Sequence, residues 1–129
     1  MAFNWEPYGR TRNDDEPAPG GLPRKPARHL AVLTCIDCRV DPLAALGLRL
    51  GDAVVLRNAG AQWSDDMERS LRIAHDNLGV TDLHVLAHTD CAANGGDDDV
   101  ARTVADRAAA RLHAAIPALR VQVSMVDVR

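Results

Sequence analysis

Four short apolar runs are spaced along the chain with helix signals between them: Leu30–Thr34, Ala53–Leu56, Leu83–Ala87 and Val121–Val126. Each is bounded by turn or capping residues, so each reads as a buried strand. After the first run, Asp41 stands as an N-cap before Pro42, which predicts a short helix over Pro42–Gly47. After the second, Ser64 or Asp65 opens a helix that runs to Leu78. Met67, Leu71, Ala74 and Leu78 share one of its faces, and Gly79 stops it. After the third, Asp97, Asp98 and Asp99 complement the N-terminal dipole of another helix. Its apolar face is predicted from Val100, Val104, Ala108, Leu112 and Ala115, with Pro117 beyond its end. This rhythm predicts an α/β fold, a mostly parallel central sheet of about four to five strands flanked by helices, joined by right-handed crossovers.

The core of such a sheet needs branched aliphatic residues rather than rings. The chain has only two Trp, one Tyr and one Phe, yet 47% of its residues are hydrophobic, so Leu, Val, Ile and Ala must fill the interior. A length of 129 residues suits one such core. The net charge of −3, with no basic stripe, argues against nucleic acid as a partner. No apolar run approaches the roughly 18 residues that cross a bilayer, so no membrane association is expected. Met1–Arg12 lacks the apolar centre of a secretion signal. Three cysteines, Cys35, Cys38 and Cys91, are too few and too odd for a disulfide scaffold. They read as reduced thiols of a cytoplasmic protein, open to metal binding or catalysis.

Residues 1–28 read as an N-terminal arm before a zinc domain over residues 29–129. Pro7, Pro17, Pro19, Pro23 and Pro26 recur in the arm, with Gly20-Gly21 and the acidic cluster Asp14-Asp15-Glu16. Few apolar residues are present there to offset ordering entropy. The arm is therefore either partly disordered or docked on a partner through Phe3, Trp5 and Tyr8.

Three polar clusters directly follow predicted strands. They are Cys35-Ile36-Asp37-Cys38-Arg39, Arg57-Asn58-Ala59-Gly60 and His88-Thr89-Asp90-Cys91. In an open parallel sheet, sites form beyond the carboxyl ends of strands, where strand order reverses. If the first and third strands are neighbours, Cys35 and His88 emerge side by side. Two thiolates and an imidazole suit Zn²⁺, and three protein ligands leave a fourth position open for water that ionises near neutral pH. Two thiolates cancel the charge of the dication, so an assisting group is expected. Asp37 and Arg39 share a side on an extended segment. A carboxylate held by a guanidinium stays ionised and fixed in direction. If Arg39 turned away, Asp37 could instead fill the fourth position. An ordinary surface ion pair is the bland alternative.

Cys35-x-Asp37-x-Arg39, then Arg57-Asn58-Ala59-Gly60, then His88-x-x-Cys91 resemble, in that order and spacing, the β-class carbonic anhydrases. The resemblance extends from about Leu22 to Val128 and includes Ser70-Leu71 and Leu78-Gly79. It implies reversible hydration of carbon dioxide to bicarbonate, with one zinc ion per chain on Cys35, His88 and Cys91. It implies Asp37 and Arg39 as the gating dyad, and a homodimer or higher oligomer embraced by the arm.

Two departures from that pattern open alternatives. Ala92 stands where the family has Gly, and the segment from Ala92 to Asp97 is short. A wall of the pocket would then be missing, which leaves a zinc-binding protein with little turnover and a structural or interaction role. Cys38 sits between Asp37 and Arg39, so Cys35, Cys38, His88 and Cys91 also read as a closed structural site. A redox pair of Cys35 and Cys38 is disfavoured because the next helix starts too late. His75 and His84 read as packed or solvated side chains, and Arg57 as a packing or anion-binding one.

Overall fold

The computed structural model describes residues 20–129. The arm aromatics Phe3, Trp5 and Tyr8 lie outside these residues. Four strands form one sheet: β1 (Leu30–Cys35), β2 (Ala53–Asn58), β3 (Asp82–His88) and β4 (Arg120–Val126). All neighbouring pairs are parallel, in the order β2-β1-β3-β4. The expected α/β fold class is therefore the observed one. The chain passes from β1 to one neighbour, β2, and then crosses β1 to place β3 on its other side. That reversal opens the crevice beyond the ends of β1 and β3.

Alternation along β1 splits the core between the two faces of the sheet. Ala31 and Leu33 join Leu71, Leu83, Val85 and Leu112 under the helices, whereas Val32 packs with Val40 and Leu86 on the opposite face. Thr34 is fully buried and donates its hydroxyl to Leu86 O at 2.8 Å. It ties β1 to β3 one residue before Cys35.

The helices α1 (Pro42–Ala45), α2 (Asp65–Leu78) and α3 (Asp98–Ala115) all begin on polar caps. The Asp41 carboxylate accepts from Ala44 N–H, and the Ser64 hydroxyl accepts from Met67 N–H. Asp97 accepts from both Asp99 and Val100 N–H. Each satisfies amide donors that the helix itself leaves free. Ser64, not Asp65, is thus the cap of α2, and Gly79 ends the helix at a φ of 71°, a left-handed conformation open to glycine. Among the described residues, no helix is long and apolar enough to cross a membrane.

The buried face of α3 differs from the expected one. Ala101, Ala105, Ala108, Ala109 and Leu112 are buried, while Val100 is exposed. Alanines let the helix lie close on β3 and β4, so packing distance, not residue hydrophobicity, selects the stripe. The helix expected over Pro42–Gly47 is also shorter, because Gly47 turns to a φ of 67° and Leu46 closes the last turn.

Candidate metal centre

Cys35 and His88 are the last residues of β1 and β3 rather than the first residues beyond them. Each is still paired in the ladder, Cys35 with Asn58 and His88 with Val126, so the sheet itself fixes their backbone positions. Cys91 follows after a tight turn at Asp90, whose φ of 53° is left-handed. Aspartate tolerates that conformation better than most residues with a Cβ. The turn brings His88 and Cys91 back toward one point.

The ligand-type atoms of Cys35, His88 and Cys91 lie within 4.8 Å of one another, and all three residues are buried. The two sulfurs are 3.9 Å apart. That is far beyond a disulfide bond. Two sulfurs on one tetrahedral zinc ion would stand roughly 3.8 Å apart, since each bond is about 2.3 Å. His88 Nδ1 lies 2.7 Å from Thr89 O, and a carbonyl only accepts, so Nδ1 carries the proton. The lone pair is left on Nε2, which is buried and has no partner among the described residues. An orphaned imidazole nitrogen beside two sulfurs is the donor set that zinc takes. The residues present fit the metal.

Two N–H groups support the sulfurs. Gly60 N–H donates to Cys35 Sγ at 3.3 Å, and Asn94 Nδ2 donates to Cys91 Sγ at 3.3 Å. Burial raises the Cys35 thiol, but hydrogen bonding led by Gly60 N–H outweighs it, and its pKa is lowered. Burial raises that of Cys91, and the neighbouring Cys35 adds to the rise. Gly60 has a φ of 87°, and a Cβ there would meet Ala93 Cβ at 3.3 Å. Both facts reserve the position for glycine.

Asp37 stands at the mouth of this cluster, its Oδ2 3.8 Å from His88 Nδ1. Arg39 holds it with three donors: Nη2 to Oδ2 at 2.8 Å, Nε to Oδ1 at 3.1 Å and backbone N–H to Oδ1 at 2.8 Å. The side-chain bonds from Arg39, then its backbone bond, keep the Asp37 carboxyl well below the usual carboxylate range. Arg39 also reaches Asp90, through Nη1 to Oδ2 at 3.2 Å and Nη2 to the carbonyl at 3.0 Å. The guanidinium thus faces Asp37 and is braced from behind.

Asp37, Arg39 and Cys35 share a cleft of about 700 Å³ with Ile36, Cys38, Ala59, Ala92 and Ala93. The short segment after Cys91 does supply a wall, because Ala92–Asn94 forms a 3-10 turn whose alanines line the cleft. Ala92 is not among the left-handed residues, so its backbone does not require the glycine expected there. Asn94 had no sequence signal beyond lying three residues after Cys91.

Cys38 is exposed and lies outside the group of converging ligand atoms. Cys38→Ala is therefore expected to keep full zinc content, measured by elemental analysis after dialysis. Loss of the metal would restore the four-ligand reading. His84 bonds Ser124 Oγ at 2.6 Å, and His75 bonds Val80 O at 2.7 Å. Both are used in packing the fold.

A family model described as carbonic anhydrase matches residues 30–126. Beta-carbonic anhydrase 1 of Mycobacterium tuberculosis is 41% identical over 93 residues, covering 71% of this chain and 57% of that protein. Carbon disulfide hydrolase of Saccharolobus solfataricus is 36% identical over 107 residues, covering 79% and 52%. The chain thus spans little more than half the length of these curated relatives. Among solved structures, a carbonic anhydrase from Streptococcus mutans superposes with a TM-score of 0.69 at 31% identity, covering 83% of this chain and 80% of that one.

Proposed function

The chain belongs to the β-carbonic anhydrase family, and from that membership we propose that it interconverts carbon dioxide and bicarbonate at one zinc ion held by Cys35, His88 and Cys91. The observation that carries this reading is the partnerless buried Nε2 of His88, converging with two sulfurs beside an ionised Asp37. Zinc, when bound, supplies the Lewis acidity that makes water nucleophilic near neutral pH.

The chain's own residues do the rest. An ionised Asp37 can only accept hydrogen bonds. It therefore draws the O–H of the attacking oxygen toward its carboxylate and turns a lone pair the other way. Arg39, bonded to both carboxylate oxygens, prevents Asp37 from rotating. Ile36, Ala59, Ala92 and Ala93 offer an apolar wall with no polar side-chain atom to compete for the substrate. A linear, uncharged molecule suits such a wall. Two thiolates neutralise the dication, so the anionic product is held weakly. Membership of the family is also the ground for reading the chain as a homodimer or higher oligomer.

Stopped-flow hydration of carbon dioxide by the zinc-loaded chain tests the reading. A rate far above buffer is expected. A buffer rate with one zinc per chain would leave a metal-binding protein without turnover. The carbon disulfide hydrolase relative favours a second reading, hydrolysis of that analogue at the same site. Release of hydrogen sulfide from carbon disulfide by the same preparation distinguishes it.

A further inference from the structure

Arg57 lies outside the cleft, on the penultimate residue of β2. Its guanidinium nevertheless holds the segment that carries Asp37 and Arg39. Nε donates to Cys35 O at 2.7 Å, and Nη2 donates to Asp37 O at 2.8 Å and to Val40 O at 3.0 Å. These carbonyls mark the start, middle and end of the loop. Asp37 O also receives Val40 N–H at 3.1 Å, and Ile36 N–H reaches Asn58 O at 3.0 Å. The loop is therefore wrapped around one planar, always charged fork. Of the two uses expected of Arg57, packing by its guanidinium is the one seen, because two of its three nitrogens are taken by carbonyls.

We infer that Arg57 is the positioning residue of this centre: by binding three carbonyls of residues 35–40 it sets where the Asp37 carboxylate points. This rests on the hydration reading above. Arg57 does not line the cleft, so it acts through the segment it holds, which carries Asp37 and Arg39. A lysine cannot replace it, because a single ammonium on a flexible stem does not match three carbonyls spread along a fork. Cys35 and His88 also have partners in the strand ladders, so the metal ligands depend less on Arg57 than the loop does.

The test compares zinc-loaded wild type, Arg57→Lys and Arg57→Ala. Three measurements are made on each: zinc per chain, amide exchange, and kcat and KM for carbon dioxide. Both variants should retain zinc. Exchange at the Arg39 and Val40 amides should quicken about 10-fold or more, while the amides of Leu83–Leu86 stay unchanged. In both, kcat should fall roughly 10- to 100-fold, as a displaced orienting group does, with KM little altered. Millimolar guanidinium should restore slow exchange and part of kcat in Arg57→Ala. Should Arg57→Ala fail to fold, Arg57→Lys carries the same comparison.

Unchanged exchange and kcat in a folded variant would overturn the assignment. So would an equal quickening across all strands, which marks a general loss of stability. A wild type without hydration activity would defeat the functional reading only, and the exchange data would still decide the clamp.

Discussion

His88→Ala is expected to leave the chain unable to retain zinc through dialysis, whereas wild type should keep one ion. His88 supplies the sole nitrogen of the group, and it is held by the β3 ladder and by its Nδ1–H bond to Thr89 O. Losing one of three ligands should weaken affinity well beyond the roughly 10- to 100-fold that loss of an outer partner costs. Asn94→Ala provides that comparison inside the same site, since Asn94 only donates to Cys91 Sγ. It should weaken binding by about 10-fold and retain the metal at micromolar zinc. Thermal unfolding reads the difference without any assay of turnover. Zinc binds the folded state selectively, so it should raise the Tm of wild type and Asn94→Ala and leave that of His88→Ala unmoved. A zinc-dependent shift in His88→Ala would remove the imidazole from the ligand set. A second effect opposes the loss of packing in the metal-free protein. His88 Nε2 is buried and without a partner among the described residues, and such an atom costs about 1–3 kcal/mol. Alanine relieves that cost while it opens a cavity, so the metal-free variant should lose less stability than burial alone implies.

The metal group and the alternation of parallel strands with helices could be read from residues because both rest on strong, local signals. Four apolar runs with capped helices between them specify strands, and clusters at strand ends specify a crevice once β1 and β3 are adjacent. Cys35, His88 and Cys91 then follow from their donor atoms. What escaped the sequence depends on backbone groups, which no residue pattern displays. Arg57 binds three carbonyls, Gly60 supports a sulfur through its N–H, and Thr89 fixes the His88 tautomer through its carbonyl. That Thr89 and Asp90 hydrogen-bond around the site follows from their place between His88 and Cys91, but that Asp90 braces Arg39 depends on a left-handed turn. The face of α3 was misplaced for a related reason. Hydrophobicity favours Val100, but the distance between helix and sheet favours Ala101 and Ala105. Whether the aromatics of residues 1–19 dock on a partner lies outside the described residues.

Asp37→Asn should keep zinc and lose turnover, by roughly 100- to 1000-fold in kcat, the range expected when a positioned proton acceptor is removed. The substitution preserves shape and changes two things. An amide presents N–H where the carboxylate presents a lone pair, so the attacking oxygen is no longer turned. Arg39 also loses one of the two oxygens it grips, because Nη2 and Nε now face a group with a single acceptor. Zinc content should stay whole, because Asp37 is not among the converging ligand atoms. Full turnover in Asp37→Asn would show that no acceptor is needed there. Arg39→Ala probes the same unit from the other side. It frees a carboxylate that lines the same cleft as Cys35 and can then turn toward the metal. Turnover should again fall roughly 100-fold or more, here by obstruction. If the guanidinium acts only through Asp37, the two losses cannot add. The double variant should be no slower than Asp37→Asn alone, a coupling that a double-mutant cycle measures directly. Additive losses would mean that Arg39 contacts the substrate or product itself.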